Sequence, residues 1–187
     1  MRDTERLYAE FRQKAEAVSA QVYRAGTGDE AGILVGNLLA GLGSKKIVIS
    51  HAGISRQAKL EQVLTDMGLE VHSAKLRLQA PLADAGISQV EMAVAETGSL
   101  IGDASNVEDR LVSTLPLVHI ALVSTGGLKA TLAEALVALR EGGVPGQINF
   151  ITGPSRTSDI ERVLTIGVHG PEKLIIVFVD QEGQGNG

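Results

Sequence analysis

Short, nearly uninterrupted apolar runs recur along the chain, and their spacing limits the fold more than any other feature. Lys46-Ile47-Val48-Ile49-Ser50, Val90 to Ala95, Leu117 to Val123, Ile148 to Thr152 and Lys173 to Val179 hold too few polar residues to present a regular solvent face. The segments between them carry a helical period. Leu60, Val63, Leu64 and Met67 share one face of 55–67. Ser105-Asn106-Val107-Glu108 has capping-box spacing and opens a helix to about Thr114. A longer helix over 128–141 stops at Gly142-Gly143. Fully apolar strands alternating with helices specify an α/β fold: a mostly parallel sheet with helices on both faces. Ligands in such sheets bind outside the carboxyl ends of the strands, which singles out the loops after residues 50, 95, 123 and 152.

The N-terminal part reads as added helices. Leu7, Phe11, Val18 and Val22 predict a helix over 4–24, ended by Arg24-Ala25-Gly26. Asp29 predicts the cap of a second helix, about 30–41, that is apolar almost all round and therefore buried. This divides the chain into a helical arm or layer at 1–44, an α/β domain at 45–180 and a Gly-rich flexible tail at 181–187. Leu69 to Ser73 reads as a short strand and Ser99 to Ile101 as a return strand. Between 74 and 86 only a helical turn at Leu82 to Ala85 is legible.

Composition narrows the function. A net charge of −5 and only 3% aromatics, with no Trp, argue against a nucleic-acid partner. With no cysteine, the chain makes no disulfide, thiolate nucleophile or cysteine-ligated cluster. The N-terminus is charged from residue 2 and lacks an apolar signal core, and Ala31 to Ser44 is too short to cross a bilayer. The expectation is a cytoplasmic protein without membrane contact. Gly26-Thr27-Gly28-Asp29-Glu30-Ala31 matches a dinucleotide fingerprint, but it follows a helix and sets two acids where a pyrophosphate would lie. The four histidines have no metal-ligand spacing, so neither metal nor cofactor is expected.

Ile148 to Pro171 is the strongest site candidate. It reads as a strand, a polar loop, and a helix opened by a second capping box, Ser158-Asp159-Ile160-Glu161. Gly153, Ser155, Arg156, Thr157 and Ser158 would then bring hydroxyls, amides and one guanidinium to a helix N-terminus, suited to a carboxylate or phosphate. Capping alone explains the Ser and Thr residues, but not Gly153-Pro154 with an arginine in the same loop. Glu96, at a strand end before Thr97-Gly98, is a candidate nucleophile or base, although an isolated Glu there is more commonly a solvated turn residue. His51, at the end of the first strand, is a candidate pocket residue. His119, inside an apolar strand, reads as a buried structural histidine, and His169 as part of a turn.

Thr152-Gly153-Pro154-Ser155-Arg156-Thr157-Ser158-Asp159-Ile160-Glu161, followed by Gly167-Val168-His169-Gly170-Pro171, resembles the hallmark of the LUD domain family. Ala95-Glu96-Thr97-Gly98-Ser99-Leu100 and Leu115-Pro116-Leu117-Val118-His119-Ile120 resemble two further signatures in the same order, so the likeness covers roughly 30–180. It departs in one place where a single proline, Pro116, stands for a Pro-Pro pair, and Lys75 to Gln89 aligns less readily. The resemblance implies a fold like the NagB/RpiA/CoA-transferase superfamily. It also implies a part in oxidising L-lactate to pyruvate with iron–sulfur partner proteins. Glu96-Thr97-Gly98 further resembles the Glu-Asn-Gly segment of class I CoA transferases, with Thr97 in place of Asn.

Three functions follow as expectations. The first is a subunit or accessory protein of a lactate-utilization system that binds a small carboxylate or phosphate near Arg156. The second is an acyl- or CoA-transferring enzyme using Glu96. The third is a non-catalytic binding module, suggested by the apolar helix 30–41, which also allows a homo-oligomer.

Overall fold

The structure is a computed structural model that describes residues 2–50, 53–54, 59–158, 164–166 and 170–180. Its centre is a six-stranded sheet built from β1 (Gln21–Ala25), β2 (Lys46–Ile49), β3 (Glu70–His72), β4 (Ala85–Val90), β7 (Val118–Ser124) and β12 (Lys173–Val179), in the order β1-β12-β7-β4-β2-β3. Every pairing in it is parallel. The α/β class with a mostly parallel sheet, expected from the apolar runs, is the observed one.

Side chains alternate across this sheet. Ile47, Ile49, Ile87, Ile120, Leu122, Ile175 and Val177 point to one face. That face is covered by α2 (Gly28–Gly41) through Ala31, Val35 and Leu39, and by α3 (Leu60–Asp66) through Leu60 and Leu64. Ala121, Val123, Leu174, Ile176 and Phe178 point to the other, where α1 (Arg2–Ala17) inserts Phe11 and Ala15. Tyr8 and Phe11 meet the Phe178 ring edge-on, with centroids 5.3 and 5.1 Å away. The rest of this face carries a second sheet.

That second sheet joins β8 (Leu128–Lys129), β5 (Met92–Val94), β6 (Ser99–Asp103) and β9 (Ile148–Ile151), in the order β8-β5-β6-β9. Its pairings are mixed: β6 runs antiparallel to both neighbours. Ala93 and Leu100 face the large sheet. Met92, Val94 and Ile101 face outward and take Ala135 and Leu139 of α6 (Leu132–Gly142). Two short helices, α4 (Leu76–Gln79) and α5 (Val107–Thr114), close over Val48 through Leu76 and Val112. At Gly86 of β4 a side-chain carbon would collide with the carbonyl oxygen of Val112, so glycine there lets α5 lie directly on the strand.

Several boundaries differ from the expectation. The N-terminal helix ends at Ala17, and residues 21–25 form an edge strand; Ser19, at φ 73°, turns the chain between them. Local helical period lost there to the pairing of Gln21–Ala25 with Ile175–Val179. Helix α2 then packs on the same sheet. The run Val90 to Ala95 is not one strand. Its first residue ends β4, whose start lay in the illegible stretch, and Met92–Val94 crosses to the second sheet. Ile148–Ile151 also belongs to that second sheet, where it pairs with β6. The expected helix 128–141 starts only at Leu132, where the Thr131 hydroxyl accepts from the Glu134 N–H. Asn106, not Ser105, caps α5. Finally, β10 (Arg156–Ser158) pairs antiparallel with β11 (Leu164–Ile166), where a helix from Ser158 was expected. Cross-strand pairing of Thr157 with Thr165 and Ser158 with Leu164 outweighs the local capping signal. The connection, 159–163, lies outside the described residues.

Candidate functional site

A cavity of about 320 Å³ lies between the end of α5, the last strand of the small sheet and the starts of β7 and β12. Ser113 and Thr114 line it from α5, Asn149 to Ser155 from β9 and its loop, and His119 and Leu174 from the large sheet. It thus opens at the amino ends of β7 and β12. The opposite, carboxyl ends are occupied by side chains of the protein itself. Arg24 donates to Asp180 at 2.7 Å and to Glu5 at 2.8 Å, and the Thr125 hydroxyl donates to Asp180 at 2.7 Å. Gln89 receives the Ile54 N–H there as well.

The loop that lines the cavity is fixed at several points. Gly153 has φ 78°, and a side-chain carbon there would come within 2.7 Å of the Val18 carbonyl, so only glycine fits the turn beside α1. The Thr152 and Ser99 hydroxyls are 2.6 Å apart. The Ser155 N–H donates to the Pro171 carbonyl at 2.8 Å. One terminal nitrogen of Arg156 donates to the Val18 carbonyl at 3.0 Å and to the Ser19 hydroxyl at 2.7 Å. Its other guanidinium nitrogens make no hydrogen bond among the described residues.

His119 sits at the cavity floor, 1% exposed, with its Nε2 2.8 Å from the Ser88 hydroxyl. Burial pushes its pKa down to about 4, so the ring is neutral at physiological pH. A smaller adjoining cavity, about 20 Å³, is lined by Ser88, Asp109 and Arg110 and shares Ser113, Asn149 and Ile151 with the larger one. Arg110 is anchored there on the carbonyls of Ala104 and Ser105. Burial raises the Asp109 carboxyl above its ordinary range, against the opposing bond from Ser50. Burial likewise raises Glu91, whose carboxylate accepts the Asp103 N–H at 2.6 Å.

Of the residues expected at a site, Gly153 and Ser155 line the cavity and Arg156 follows directly. Thr157 and Ser158 lie in the β10 hairpin strand. His51 and His169 lie outside the described residues. Glu96 is not among the cavity's lining residues. Its carboxylate accepts the Leu132 N–H at 2.6 Å and its own N–H donates to the Ala130 carbonyl, so it holds the start of α6. Sequence reasoning missed Ser88, Ser113 and Asn149. Ser88 lay between the poorly legible stretch 74–86 and the strand expected from Val90, assigned to neither, and its pairing with His119 spans 31 residues. Among the described residues no group of three or more His, Asp or Glu is set to hold a metal ion, and no helix is long and apolar enough to cross a membrane.

Comparison with known proteins supports the family resemblance read from the sequence. The chain is 41% identical over 108 residues to lactate utilization protein C of Shouchella clausii, covering 56% of this chain and 47% of that protein. With lactate utilization protein C of Bacillus subtilis it shares 37% over 106 residues, covering 54% and 44%. An uncharacterized protein of Neisseria meningitidis is 31% identical over 147 residues, 74% of this chain and 63% of its own. The chain spans about half the length of the lactate utilization proteins it matches. A crystal structure of a DUF162 family protein from Deinococcus radiodurans superposes with a TM-score of 0.65 at 23% identity, covering 94% of this chain and 98% of that one, and shares its fold. The LUD domain family profile matches residues 8–179, from the first helix to the end of β12, and the chain therefore belongs to the LUD domain family.

Proposed function

We propose that this chain works in a cytoplasmic lactate-utilization system, in the oxidation of L-lactate to pyruvate, beside iron–sulfur partner proteins. Its own part is to bind a small ligand at the loop Thr152–Ser155, with the ligand's carboxylate or phosphate directed to Arg156. The relatives named lactate utilization protein C motivate the system. A chain without cysteine leaves cysteine-ligated clusters to other subunits.

The observation that carries the binding role is that the family's hallmark loop forms a wall of a cavity of about 320 Å³ with mixed polar and apolar lining. Ser113, Thr114, Thr152 and Ser155 line it, and Arg156, next along the loop, keeps guanidinium nitrogens that make no hydrogen bond among the described residues and could serve an anion. The small volume suits a molecule of a few carbons better than a dinucleotide. The strand at Arg156–Ser158 removes the helix dipole from this argument; hydroxyls, amides and the guanidinium remain.

The test is growth on L-lactate of a strain lacking this chain, complemented with the wild type or with Arg156→Ala. Slow growth with the variant at equal protein level is expected. Full complementation would contradict the role given to Arg156.

A further inference from the structure

The cavity floor holds a polar atom with no partner among the described residues. His119 is 1% exposed, and its ring makes one hydrogen bond, from Nε2 to Ser88. No described side-chain nitrogen or oxygen is both sealed from the surface and unpaired. Nδ1 has no partner among the described residues, so it is the part of the ring that reaches a surface, and the surface that His119 lines is the cavity.

The hydrogen on that nitrogen follows from Ser88. Its side chain is buried, and His119 is its only hydrogen-bond partner among the described residues. A buried hydroxyl hydrogen without an acceptor is costly, so the hydroxyl donates to Nε2. A neutral imidazole carries one ring hydrogen, which is then on Nδ1 and directed into the cavity.

We propose that His119 is a ligand-binding residue whose Nδ1–H, set by Ser88, donates to a carbonyl or carboxylate oxygen of a short oxo- or hydroxy-acid. This rests on the reading of the cavity as a small-carboxylate site and adds the group at its floor. A neutral donor adds no charge of the protein's own beside Leu174 and Ile151. Burial, which pushes the ring's pKa down to about 4, keeps that donor unchanged across the physiological range.

The experiment observes the ring nitrogens of the ¹⁵N-histidine-labelled full chain by NMR during titration with pyruvate and, separately, L-lactate. The free protein should show His119 with its hydrogen on Nδ1, and the Nδ1 resonance should move saturably with either acid. Ser88→Ala should weaken pyruvate about tenfold, the loss of roughly one hydrogen bond. Ser88→Thr, which keeps the hydroxyl, should restore it. A hydrogen on Nε2 in the free protein would overturn the proposal. So would pyruvate binding, seen in the ligand's own line widths, that leaves the His119 ring unmoved; the small-carboxylate reading would then survive without His119. No binding of either acid at about 10 mM would overturn both.

Discussion

Strand β7 of the large sheet is buried from Val118 to Val123 and hydrogen-bonded on both sides, to β12 and to β4. Strand β9 of the small sheet is an edge strand, paired only with β6, with Phe150 exposed and its neighbours half-buried. Both are short apolar runs, yet one is the centre of the scaffold and the other leads straight into the hallmark loop. The difference shows how the work is divided. The parallel sheet supplies the cavity floor, including His119, while the small sheet carries the facing wall on an edge strand. Such edges lie toward the low-stability end of a fold, where binding loops are commonly found.

The contrast can be broken most severely at Gly86. Gly86→Ala places a carbon against the Val112 carbonyl and must push α5 off β4. A loss of about 3 kcal/mol or more is expected in urea unfolding, well beyond what a surface change in the small sheet would cause. A pH step probes the same floor. The folded His119 has its pKa lowered from 6.5 to about 4. Below pH 6.5 the unfolded chain therefore takes up a proton that the folded chain refuses, and stability falls as pH drops from about 6.5 toward 4. Between pH 7 and pH 5 the expected loss is about 2 kcal/mol. Glu91 and Asp109 oppose it, since their raised carboxyls protonate first in the folded state. Unfolding midpoints at the two pH values read the net sign.

Smaller effects belong to the region around the loop. Arg156→Ala releases the Val18–Ser19 turn and should cost about 1 kcal/mol. Glu96→Gln keeps an oxygen for the Leu132 N–H and should cost only a few tenths of a kcal/mol, with growth on lactate retained. A growth defect at normal stability would instead return Glu96 to the chemistry.

Three strands of the large sheet were legible because they are buried on both faces. Lys46–Ile49, Val118–Ser124 and Lys173–Val179 read as continuous apolar runs and are strands. The runs at 90–95, 99–101 and 148–152 also read as strands, but their gathering into a second sheet was not legible, because its order is set by pairings far apart in sequence. Leu100 lies opposite Ile151 and Ala93 opposite Leu128, and no local period encodes either match. Glu91 and Gln21–Ala25 show the same limit: a run can change sheets, and a helical period can yield to an edge pairing. At the site, the loop Thr152–Arg156 was visible in the motif. His119 reads as a buried, hydrogen-bonded histidine in an apolar strand, and it is one; its partner Ser88 and the cavity beside it were not legible.

The most direct measurement is a crystal structure of the protein soaked with pyruvate. The account predicts density for the acid in the cavity, within about 3.2 Å of the Thr152 or Ser155 side of the loop, with an oxygen facing His119 Nδ1. Pyruvate bound at Glu96, or elsewhere on the surface with the cavity empty, would contradict it.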